Sequence, residues 1–82
     1  MDKIIVYTNP VEPFQRVVVI KDKEVITNIG VMPNNLTEIV FDASQKYDVK
    51  NICFIGVKTF ALGFMQEMKT TYDTLNIEFM EE

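Results

Sequence analysis

The first thirty residues hold short β-branched runs, and from residue 36 onward apolar positions recur at every third or fourth place. KIIVYT, Lys3 to Thr8, predicts a strand. NPVEP follows, and Pro10 and Pro13 each remove a backbone donor and turn their predecessors away from helix, so this is a loop. FQRVVVI, Phe14 to Ile20, predicts the second strand, and EVITNI, Glu24 to Ile29, the third. The polar KDK between them predicts a hairpin turning near Asp22–Lys23, without the glycine of the strongest turn signal, so its register stays open. Gly30 then permits a further turn.

Asn35 with Glu38 three residues on marks a helix start, because each side chain can reach a free amide of the other's turn. Leu36, Ile39, Val40, Ala43 and Tyr47 form an apolar stripe, with Asp42, Gln45 and Lys46 on the wet side, and place the helix at about 36–47. VKNICFI, Val49 to Ile55, is continuously apolar at its centre and predicts a strand covered on both faces, ended by Gly56. A second helix runs from about Lys58 to Tyr72 on a stripe of Ala61, Phe64, Met65, Met68 and Tyr72. Gly63 inside it predicts close approach to the sheet. NIEFM, Asn76 to Met80, alternates like an edge strand, and Glu81–Glu82 reads as a frayed solvated end.

The order is therefore β-β-β-α-β-α-β. It predicts an α/β domain spanning 1–82, with a single mixed five-stranded sheet whose first three strands form an antiparallel meander. A ferredoxin-like arrangement with an extra strand fits much of the same pattern. This succession resembles the ribonuclease-H-like fold. In its nuclease members an aspartate on the first strand and an acid near the end of the fourth hold metal ions. The matching stretches here, Ile5-Val-Tyr7 and Cys53-Phe-Ile-Gly56, carry no carboxylate, so the resemblance implies the fold without the catalytic site. Locally, NICFIGVKTFALGFMQEM is similar to the strand–glycine–helix segment of actin-like ATPases, where a glycine-rich turn meets nucleotide.

Composition narrows the chemistry. With 82 residues the chain has room for one thin core, yet 48% of it is hydrophobic, including six Phe and five Met, which predicts that some apolar surface covers a partner or a second copy. A net charge of −4 disfavours coating nucleic acid and fits solubility or a basic protein partner. The single cysteine, Cys53, rules out an intrachain disulfide and fits a reducing compartment; inside ICFI it reads as a buried, inert thiol. MDKIIVY has no signal-peptide pattern and no segment is long enough to cross a bilayer, so the expected location is the cytoplasm of its own or a host cell.

No histidine is present, which removes the commonest general base and metal ligand. Ser44, the only serine, reads as a surface or helix-groove hydroxyl, and Glu38, Asp42, Glu67 and Asp73 as solvated acids. Nothing calls for a cofactor or metal. Three candidate sites remain. A helix N-terminus attracts anions, so Gly56, Lys58 and Thr59 form an anion candidate, although Val57 stands where a phosphate loop wants freedom. Tyr7, Asn9, Pro10, Glu12 and Pro13 form a stiff loop suited to a partner, against the plainer reading of a connecting loop with Phe14 folded inward. Met65 and Met68 are candidates for self-association. The expectation is a non-catalytic interaction protein that binds another protein and forms a homo-oligomer, in the style of a viral or mobile-element accessory or inhibitor. The alternatives are a vestigial nucleotide- or anion-binding subdomain and a self-assembling structural subunit.

Overall fold

The computed structural model describes residues 2–81; Glu82, part of the expected frayed end, lies outside them. The elements are β1 (Lys3–Thr8), β2 (Gln15–Lys21), β3 (Glu24–Val31), α1 (Leu36–Tyr47), β4 (Asn51–Gly56), α2 (Lys58–Thr71) and β5 (Asn76–Phe79). They build one five-stranded sheet in the order β3-β2-β1-β4-β5. β1, β2 and β3 pair antiparallel, while β4 is parallel to β1 and to β5. This order sets aside the ferredoxin-like alternative.

Alternation sorts the sheet into two chemical faces. On one, Ile4, Val6, Val17, Val19, Ile52 and Phe54 are fully buried, packed with Leu36 and Val40 of α1 and Ala61, Met65 and Met68 of α2. Burying each such side chain contributes roughly 1.5–3 kcal/mol. α1 lies against β1 and β2, α2 against β4 and β5, and the helices touch each other, so both cover the same face. The expectation that β4 is covered on both faces is corrected here. Cys53 points to the helix-free face and is buried only because its strand neighbours crowd a small side chain.

Met65 and Met68, 4% and 0% exposed, are core residues. Their proposed role in self-association is corrected, because the helical stripe that carries them is the stripe that seals the sheet. Gly63 lies on the opposite side of α2 with nothing within 4 Å of an added Cβ, so it makes no close approach to the sheet. Gly30 does not turn the chain: β3 runs through it to Val31, and the Phe14 and Arg16 side chains lie 3.4 Å from where a Cβ would stand.

The β2–β3 turn is closed by Asp22 and Lys23, both at positive φ (54° and 68°), which settles the register as Lys21 opposite Glu24. A bulge follows, with Val19 opposite Thr27 and Ile20 opposite Val25, so Ile26 is the extra residue. Arg16 and Lys21 lie on the interior strand β2. Arg16 donates to Asn28 Oδ1 (2.7 Å from Nη2), and Lys21 reaches the Tyr47 carbonyl (2.8 Å) and Asp2 (3.6 Å). α1 starts at Leu36, as the stripe predicts, but without the expected cap. A 3₁₀ turn over Pro33–Asn35 leads into it, and Asn35 makes no side-chain cap bond, its N–H instead bonding to Met32 O. The helix ends on Asp48 in the left-handed region. Ser44 is buried rather than on the surface, donating to Val49 O at 2.6 Å, which anchors that chain reversal.

Candidate functional site

Parallel pairing of β1 with β4 sets Thr8 opposite Gly56. One end of the sheet therefore gathers the loop after β1, the turn after β4 and the N-terminus of α2. The chain leaves β1 toward β2 and leaves β4 toward β5, on opposite sides. In open α/β sheets such a switch point at the strands' carboxyl ends is where ligands bind. Tertiary pairing thus brings the anion candidates Gly56, Lys58 and Thr59 beside the loop candidates Asn9, Pro10, Glu12 and Pro13.

The seam between the strands is closed. The Val57 N–H donates to Thr8 O (3.0 Å), and the buried Thr8 hydroxyl donates to Ile55 O (3.1 Å). Gly56 has φ 105°, and a Cβ there would collide with the Thr8 carbonyl oxygen. A glycine is needed because the two strands stay zipped through the turn. The N–H groups of Phe60 and Ala61 bond to Val57 O. Lys58 leans toward the C-terminal segment, 3.8 Å from Glu81 and 5.8 Å above the Phe79 ring, in an exposed, salt-screened pairing. Met80 N–H bonds to Phe54 O and holds that segment at the helix end.

The loop is built from inside. Gln15 is in phase with Val17 and Val19 and 1% exposed. Its Oε1 accepts the Asn9 N–H at 2.6 Å, while its Nε2 donates to Asn9 O (3.1 Å) and Glu12 O (3.3 Å). Asn9 Oδ1 accepts the Val11 N–H (3.1 Å), and the Glu12 N–H closes a turn onto Asn9 O (3.2 Å). Held this way, Pro10, Glu12 and Pro13 face water, and Val11 at the tip is 84% exposed. Phe14 is not folded inward: it is 53% exposed, and the β2–β3 register sets it next to Met32, 47% exposed, beyond the Gln15–Val31 pair. Tyr7 belongs elsewhere, half-buried on the helix-free sheet face. Gln15 was overlooked in the sequence, yet its signal was there, a polar residue in step with two inward valines.

Burial raises the Cys53 thiol above its ordinary value of 9.0, helped by the Glu78 carboxylate and opposed by Lys3, so the thiol stays protonated at neutral pH. Among the described residues no three or more His, Cys, Asp or Glu cluster to hold a metal. Glu67 accepts a hydrogen bond from Thr37 (3.0 Å), and Glu38, Asp42 and Asp73 face water. A hollow of about 700 Å³ lies away from this end of the sheet, along β5, between Lys3, Cys53, Lys69 and Glu78. No helix among the described residues is long and apolar enough to cross a membrane.

These features define an α/β domain with a mixed five-stranded sheet, two helices on one face and a closed switch point. Among solved structures the chain is similar to Pelota of Archaeoglobus fulgidus, a protein with inter-domain structural plasticity. The TM-score is 0.68 at 14% identity, over 99% of this chain and 26% of Pelota, so the chain spans about a quarter of that protein's length and the likeness is one of fold. No protein-family model matches the chain, and no curated protein sequence matches it.

Proposed function

We propose that this protein is a non-catalytic binding module that presents the loop between β1 and β2 to a protein partner. The observation that carries this reading is Gln15. A buried amide side chain spends all three of its hydrogen bonds holding a loop whose tip is apolar and in water. Pre-ordering lowers the entropy cost of presenting Val11, with Phe14 and Met32 beside it, to an apolar groove. The acidic balance favours a groove with a basic rim.

The sheet is read as a ribonuclease-H-like core from which the acids are missing. What supports this is the order β3-β2-β1-β4-β5, with Thr8 and Gly56, not carboxylates, where β1 and β4 end. Such a module acts by occupying another protein's surface, which suits an accessory or inhibitor.

A photo-crosslinker at Pro13 tests the reading. Wild-type bait is expected to capture a protein from cell extract, and Val11→Glu/Phe14→Glu, with unchanged circular dichroism, is expected to lose it. Equal capture by both baits would overturn the loop reading. Heat on titration with ATP or inorganic phosphate that Lys58→Gln abolishes would move the site to the Gly56 turn.

A further inference from the structure

The helix-free face of the sheet is a second surface, and the strand registers lay it out as a grid. Its middle row runs Asn28, Val18, Ile5, Cys53 and Glu78 from β3 to β5. The row toward the loop holds Arg16, Tyr7 and Ile55, with Met80 just past β5; the opposite row holds Val25, Ile20 and Lys3 before Asn51 and Asn76. The middle of the face is therefore apolar, with polar groups along the two outer strands and in the row of Lys3 and Asn51. None of Ile5, Tyr7, Val18, Ile20 and Ile55 joins the core, which lies wholly on the other face.

We infer that this face is covered by the same face of a second copy, giving a four-layer dimer with helices outside and two sheets packed within. Two observations select a second copy. The first is charge. Arg16 stands on β2 and Glu78 on β5, both exposed, on opposite sides of the apolar centre. A two-fold axis along β1 lays β2 of one copy over β4 of the other, and β3 over β5. Ile5 then meets Ile5 of the second copy, and each Arg16 comes beside Glu78 of the second copy. Unlike charges placed this way satisfy each other twice in one isologous interface. Lys3 also lies on β1, so the axis sets it opposite Lys3 of the second copy at the end of the face, where both ammonium groups turn outward past the apolar centre.

The second observation is size. Five strands about 4.8 Å apart and three rows about 6.8 Å apart make a grid of roughly 500 Å² before side-chain relief. It approaches the roughly 600 Å² per partner at which stable interfaces begin. Sheets pair face to face at about 10 Å with apolar inner residues, which Val18, Ile5, Ile20 and Ile55 supply here. The sheet edges suit a second copy less well, because β3 carries a bulge and β5 has four residues.

The face borders the loop at Phe14, which lies beside Arg16 over Gly30, but the loop tip at Val11 is outside it, so the charge variants test this surface without altering the tip. The test is sedimentation equilibrium of the full chain and three charge variants, with folding checked by circular dichroism. Wild type is expected to dimerise in the micromolar range. Arg16→Glu and Glu78→Arg are each expected to weaken the dimer about tenfold or more, and the double reversal to restore it to within about threefold of wild type. A wild type that stays monomeric to several hundred micromolar overturns the inference. So does a dimer indifferent to either reversal, or one that the double reversal fails to restore.

Discussion

A methyl group added at Gly56 would strike the Thr8 carbonyl oxygen, and φ 105° is a conformation that side chains resist. Gly56→Ala is expected to cost about 2–4 kcal/mol in urea denaturation. Gly63 has open space around its Cα in the middle of α2, so Gly63→Ala is expected to stabilise by about 0.5–1 kcal/mol in the same experiment. A result reversed between the two would remove the closed-seam account of the β4–α2 turn. Cys53 makes a pH prediction. Its thiol is raised in the folded state, chiefly by burial, so the native chain holds the proton more tightly than the unfolded one. The resulting stability is fully present below the unfolded thiol's pKa, near 9, and is lost as pH rises through the higher folded value. Alkylation by iodoacetamide at pH 8.5 should be slow in the native protein and fast in urea, and Cys53→Ala should flatten the alkaline loss of stability. Fast native alkylation would contradict the burial.

At the scale of elements, the two turns that define the meander work by different chemistry. Asp22–Lys23 takes two residues at positive φ, the geometry whose twist matches the flanking strands but which glycine and asparagine adopt most cheaply. Lys23→Gly is expected to raise stability by about 1 kcal/mol in thermal or urea unfolding. No gain would mean that the Lys23 side chain makes a compensating contact. The β1–β2 loop is held instead by Gln15 from within the sheet. Here the sequence spoke more clearly about elements than about their ends. Strand β1 and helix α1 were legible to the residue, because β-branching and the stripe from Leu36 to Tyr47 follow local periodicity. The cap of α1 was not, since a 3₁₀ turn over Pro33–Asn35 takes the place of the Asn35–Glu38 cap. Nor were the uses of the glycines at 30 and 63, which depend on what other elements pass nearby.

For the whole molecule, a dimer through the helix-free face makes unfolding depend on concentration. A tenfold rise in protein should lift the melting temperature by a few degrees, since tenfold is about 1.4 kcal/mol per dimer, and Arg16→Glu should suppress the shift. A melting point independent of concentration would contradict the pairing. By itself the sequence determined the element order, the inward stripes of both helices and the absence of carboxylates at Ile5–Tyr7 and Cys53–Gly56, because all of these are written in residue type and local period. Only the tertiary structure decided that β1 lies at the centre, that both helices share one face, and that the loop residues after Thr8 meet the turn at Gly56. Those facts arise from pairings between residues some fifty positions apart, such as Ile5 with Cys53. Local periodicity says that a strand has two faces. It does not say which face the helices take, or which is left to water and a partner.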